Sequence, residues 1–141
     1  MSAAPAPAPR QLIARVTLGV RWGDMDSFNH VNNAVYLRYL EEARVQWLAG
    51  IAGISLADSI APVLAASNVN YRKPIEWPCE IVVELFIEKL GNSSLTMGHR
   101  VLSSGDSTVL YSDGNVVMVW IDTRTGKSVA LPEAVRAACA T

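Results

Sequence analysis

Cysteine is scarce: Cys79 and Cys139 are the only two in 141 residues, far apart and with no Cys-x-x-Cys spacing. That pattern argues against a disulfide scaffold and fits a reducing compartment, with both thiols read as packing residues. Nor is there a surplus of charge of one sign, since 12 Lys and Arg stand against 13 Asp and Glu for a net charge of −1. A phosphate polymer therefore finds no generic electrostatic footing, and nucleic acid is not an expected partner. Long apolar runs are missing as well, none approaching the roughly 18 residues that a spanning helix needs. The expectation is a soluble, cytoplasmic protein with no membrane contact.

What is present is apolar: 50% of the residues are hydrophobic and only 18% charged. A chain of this length accommodates one domain that buries roughly two-thirds of its unfolded surface. Met1 to Arg10 alternates Ala and Pro without an apolar segment. It reads as a disordered tail (1–10), neither leader nor anchor, ahead of a single domain over 11–141.

Leu12 to Trp22 reads as a strand, and the polar stretch Gly23 to Asn32 as a loop. From Asn33 to Ile51 the residues Tyr36, Leu37, Leu40, Ala43, Trp47, Leu48 and Ile51 recur at helical spacing, opposite Arg38, Glu41, Glu42 and Gln46. Asn32 or Asn33 can cap this helix, and Gly50 and Gly53 stand where it should stop. Arg44 falls near the apolar stripe, and the expectation is that its stem lies along the core while its head stays wet. Strands follow at Ile60–Arg72, from Cys79 through Glu88, at Ser94–Leu102 and at Thr108–Asp122, and Pro132 can open a short helix through Ala140. Glu80, Glu84 and Glu88 alternate with the apolar positions of their strand and read as a solvated face. Hairpin-sized connections imply antiparallel neighbours, so the expected class is α+β: a curved antiparallel sheet wrapped around one long central helix.

The densest group of polar functional side chains is Asp24-Met25-Asp26-Ser27-Phe28-Asn29-His30-Val31-Asn32-Asn33, in the loop that feeds the helix. A helix N-terminus offers unpaired N–H groups and the positive end of a dipole, which stabilise an oxyanion where it develops. A carboxylate a few residues upstream can face the same spot. These two parts suffice for thioester hydrolysis, because a thiolate leaves without needing a proton. The carboxylate either attacks the carbonyl itself or takes a proton from attacking water. Asp24 reads as a turn or ion-pairing residue.

Arg21-Trp22-Gly23-Asp24-Met25-Asp26, His30-Val31-Asn32-Asn33-Ala34-Val35-Tyr36 and Glu41-Glu42-Ala43-Arg44 together resemble the 4-hydroxybenzoyl-CoA thioesterase family. The likeness continues in Val69-Asn70-Tyr71-Arg72-Lys73-Pro74 and in Asp122 to Pro132. It implies a single hotdog fold that dimerises edge to edge, as a homodimer or tetramer, with acyl-CoA sites between subunits and no cofactor beyond the coenzyme A of the substrate. Position by position it implies Asp26 as nucleophile or general base, the Asn33 backbone N–H as carbonyl polariser, and His30 as a further catalytic residue. Asn32, Tyr36, Arg72 and Lys73 are the expected substrate contacts, and Lys89, His99 and Arg100 are further candidates for the phosphates of coenzyme A. Asn29 stands where many relatives have glycine, and asparagine tolerates the positive φ such a turn requires. Two alternatives stay open: an acyl group carried on acyl carrier protein, and a hotdog that binds acyl thioesters without chemistry.

Overall fold

The computed structural model describes residues 11–54 and 59–140. The tail expected at 1–10 lies outside the described residues. Five strands, β1 (Gln11–Gly19), β2 (Ile60–Tyr71), β3 (Glu80–Leu90), β4 (Ser94–Ser103) and β5 (Leu110–Asp122), form one sheet with α1 (Asn33–Ala49) inserted after β1 and α2 (Glu133–Cys139) at the end. Every neighbouring pair is antiparallel, in the order β1-β3-β4-β5-β2.

Period-two alternation decides which side chains meet the helix. Ile81, Val83 and Leu85 of β3, Leu95, Met97 and Val101 of β4, and Val116, Met118 and Trp120 of β5 form one cluster with Tyr36, Leu40, Ala43 and Leu48 of α1. The sheet curves around α1, which is the hotdog architecture. Burying these side chains supplies the dominant favourable free energy. The helix begins where expected: the Asn32 side chain accepts from Ala34 N at 2.9 Å, and Gly50 closes the far end. Trp22–Asp24, expected as strand end and loop, instead forms a short 3-10 turn that leads out of β1.

Two expectations change. Glu84 is not on a solvated face, being only 2% exposed although it points away from the helix. Arg15 of β1 and Arg100 of β4 stand directly across from it and both donate to its carboxylate, Arg100 Nε at 3.0 Å and a second guanidinium nitrogen at 2.7 Å. The Arg100 guanidinium also lies 5.4 Å from the Phe86 ring centre, which helps to cover the pair. Alternation gave the correct sheet face, but cross-strand partners, invisible in one strand, decided its burial. Arg100 is thus paired within the sheet, and His99 lies on the inner face at 2% exposure, away from any surface phosphate. Arg44 is 8% exposed as a whole residue and lines a hollow beside β2.

Burial alone would push the Glu84 carboxyl up, but hydrogen bonds and charge from Arg15 and Arg100 outweigh it and hold it below the ordinary range. A depressed carboxyl contributes stability above its unfolded pKa and loses that contribution as pH falls through the folded value. Glu84→Gln should cost about 2 kcal/mol at pH 7. That difference from the parent should shrink as pH drops below about 4, as measured by denaturant unfolding across pH.

Candidate active site

A buried carboxylate fixes the loop between β1 and α1. Asp24 is 3% exposed, and its oxygens accept from Tyr39 Oη at 2.6 Å, from the Arg21 backbone N at 2.9 Å and from the Arg21 guanidinium at 3.2 Å. Burial pushes this carboxyl up, yet the hydrogen bonds and the adjacent guanidinium prevail and hold it low. The same contact raises the Tyr39 phenol, through burial first and the Asp24 carboxylate second. Asp24 is therefore the structural, ion-pairing residue expected, and Tyr39, absent from the expected apolar stripe, is its partner.

The loop then closes on itself. Met25 bridges Val31, Asp26 N donates to His30 O at 2.7 Å, and Val31 N donates to Ile75 O at 2.9 Å. Asn29 sits at φ 60°, the left-handed conformation that its side chain tolerates. One oxygen of Asp26 accepts from Phe28 N at 2.8 Å and from His30 N at 3.2 Å. The other has no hydrogen-bond partner among the described residues. Local pinning and an available oxygen coexist in the same side chain.

Asp26, His30, Asn33, Tyr36, Arg72 and Lys73 all line one cavity of about 220 Å³. Its floor is Tyr36, whose hydroxyl donates to Lys73 O at 3.4 Å and whose phenol burial pushes up, keeping the ring neutral. Asn33 is the first residue of α1, so its N–H has no carbonyl four residues earlier within the helix. The His30 imidazole makes no hydrogen bond among the described residues. Arg72 is partly committed, donating from Nε at 3.1 Å and a terminal nitrogen at 3.0 Å to Asp113.

Asn32 is the expected site residue that does not line this cavity. Its side chain caps the helix and its N–H donates to Asp24 O at 3.0 Å. Phe28, in the same loop, is 78% exposed. Sequence reasoning gave no role to Tyr71, which also lines the cavity. Its hydroxyl donates to Asn33 O at 3.1 Å, and its ring meets Tyr36 edge-on with centroids 4.9 Å apart. The signal was present in its alternation with Val69 on the strand face that turns toward α1. A larger hollow of about 690 Å³ lies between β1 and α1, lined by Leu18, Arg21, Arg38, Tyr39 and Glu42 among others, but neither Asp26 nor Asn33 reaches it.

A carboxylate and a free helix-terminal amide beside one cavity are the parts that acyl transfer needs, and comparison with known proteins agrees. The model of the thioesterase-like superfamily matches residues 20–139, so the chain belongs to that superfamily. It is a thioester hydrolase. The long-chain acyl-CoA thioesterase FadM of Escherichia coli is 32% identical over 114 residues, covering 79% of this chain and 86% of FadM. Among solved structures, a candidate acyl-CoA thioesterase from Xanthomonas campestris is 63% identical, with a TM-score of 0.76 over 84% of this chain and 100% of that one. A Thermus thermophilus thioesterase, solved with coenzyme A and zinc, is 36% identical, with a TM-score of 0.78 over 91% and 92% of the two chains.

Removing the hydroxyl that holds Asp24 leaves a buried carboxylate short of a donor. Tyr39→Phe should lower stability by about 2 kcal/mol, read by denaturant unfolding, because a charge-assisted bond is lost inside the protein.

Proposed function

We propose that the chain hydrolyses an acyl-CoA to a free carboxylic acid and coenzyme A, with Asp26 delivering the oxygen nucleophile and the Asn33 N–H holding the oxyanion. The observation that carries this reading is the convergence of both residues on the cavity shared with His30 and Tyr71. The substrate class is supported by FadM and by the coenzyme A bound to the Thermus relative. The motif likeness to the 4-hydroxybenzoyl-CoA thioesterases points the same way.

The thioester carbonyl sits with its oxygen on the start of α1 and its carbon toward the unpinned oxygen of Asp26. In the general-base form, Asp26 takes a proton from water as that water adds to the carbonyl carbon. The C–S bond then breaks, and the thiolate leaves with the electron pair. In the nucleophilic form, Asp26 adds to the carbonyl carbon first, the C–S bond breaks with the electron pair leaving on the thiolate, and water later opens the resulting mixed anhydride to regenerate the carboxylate. Hydrogen bonds from Phe28 N and His30 N fix the carboxylate's orientation in either case, so little reorganisation accompanies reaction. His30 positions the carbonyl or the water, and Arg72 and Lys73 stand at the mouth for the phosphates of coenzyme A. The reaction needs no cofactor beyond the coenzyme A of the substrate.

A cavity of about 220 Å³ falls short of the roughly 300–1,000 Å³ that drug-sized ligands occupy. That shortfall supports a homodimer, or a tetramer of two such dimers, in which a second chain completes each site. Both described cysteines are unpaired, which fits a cytoplasmic, reducing setting.

Asp26→Asn should lower kcat for acyl-CoA hydrolysis by about 10²–10⁴-fold while Kd for a non-hydrolysable acyl-CoA stays within a few-fold, measured by thiol release and by calorimetry. Undiminished turnover would remove Asp26 from the mechanism. The same assay with matched acyl-CoA and acyl-carrier-protein thioesters separates the two carriers: faster turnover on coenzyme A is expected, and a preference for the protein carrier would overturn the assignment.

A further inference from the structure

Asn33 is held by a contact from outside its own helix. The amides of its two successors are both answered by Asn32: Ala34 N donates to the Asn32 side chain at 2.9 Å and Val35 N to the Asn32 carbonyl at 2.8 Å. The carbonyl of Asn33 itself accepts from Tyr71 Oη at 3.1 Å. A carbonyl oxygen has two lone pairs, so this bond is compatible with the helix's own ladder.

The residue that supplies the hydroxyl is itself fixed. Tyr71 ends β2 and pairs with Ser112 of β5. Immediately after it, Arg72 N and Lys73 N both donate to Tyr111 O, at 2.8 and 3.2 Å. The Tyr71 ring meets Tyr36 edge-on, and Tyr36 Oη donates back to Lys73 O at 3.4 Å. Two phenols therefore cross between the start of α1 and the exit of β2, one in each direction. Burial does not demand the Tyr71 bond: the residue is 47% exposed, so water replaces the partner when the bond breaks, and the net contribution to stability is small. What the bond controls is direction. The first turn of a helix lacks intrahelical partners and opens readily, and a donor displaced from a developing oxyanion loses much of its effect.

We infer that Tyr71 is a positioning residue for the oxyanion donor: its hydroxyl, acting through the Asn33 carbonyl, holds the Asn33 N–H in the direction that meets the developing negative charge. The inference rests on the proposed role of Asn33 and deepens it. The Tyr71 ring lines the cavity while the hydroxyl ties the helix, so Tyr71→Phe removes only the second task.

The test compares the full-length parent with Tyr71→Phe in hydrolysis of acyl-CoA and in calorimetric binding of two analogues. One is a fluorinated ketone of acyl-CoA, whose hydrate copies the tetrahedral intermediate; the other is a thioether, which has no carbonyl. Tyr71→Phe should lower kcat and weaken the hydrate by roughly tenfold each, because both read the oxyanion contact. KM and Kd for the thioether should stay within about twofold, and the denaturant midpoint should hardly move. Equal weakening of both analogues would make Tyr71 a general ligand contact and overturn the inference. A fall in kcat matched by a large loss of stability would make the hydroxyl structural and overturn it too. A parent that binds the hydrate no better than the thioether would remove Asn33 as oxyanion donor, and this inference with it. A parent that prefers the hydrate, together with a variant that prefers it equally, would overturn the inference alone.

Discussion

The geometry of the site depends on one buried ionic contact, the Asp24 carboxylate held between Tyr39 of α1 and Arg21 just beyond β1. Tyr39 lies two turns into the helix, so the contact locks the incoming loop against the helix that it feeds. Asn32 N donates to Asp24 O, which fixes the capping residue in turn. The chain between these anchors has little freedom. Asp26 and the free amide of Asn33 are therefore brought to the same cavity by the backbone, before any ligand is considered.

Pinning a carboxylate by one oxygen separates two tasks that are often set in opposition. Phe28 N and His30 N orient the side chain through Oδ1, and in the proposed mechanism the remaining oxygen keeps its lone pairs for the substrate or water. Tyr71 adds a tie from the other side, joining the end of β2 to the first carbonyl of α1. The site therefore sits where the loop, the helix start and the exit from the edge strand meet.

Much of the fold was legible because its signals are local. The helix periodicity from Tyr36 to Leu48, the capping asparagine and the alternation from Ile81 to Ile87 each depend on a few residues whose spacing reflects backbone geometry. The loop cluster was legible for the same reason: Asp26, His30 and Asn33 are close in sequence and became close in space. What failed was non-local. Glu84 reads as a surface residue until Arg15 and Arg100 arrive from other strands. His99 and Arg100 looked like cationic candidates because charge is visible in sequence while its commitments are not. Tyr39 and Tyr71 were missed because each acts through a hydroxyl aimed at a residue more than a dozen positions away. Asn32 was assigned to substrate by its place in a motif, and helix capping uses the side chain instead.

The most direct test is a crystal structure of the protein with a ketone or thioether analogue of an acyl-CoA bound. The account predicts the carbonyl oxygen, or its mimic, roughly 3 Å from Asn33 N, with the reacting carbon facing the unpinned oxygen of Asp26 and a second chain closing over the acyl group. An analogue whose reacting carbon lay instead in the hollow between β1 and α1, out of reach of both residues, would contradict it.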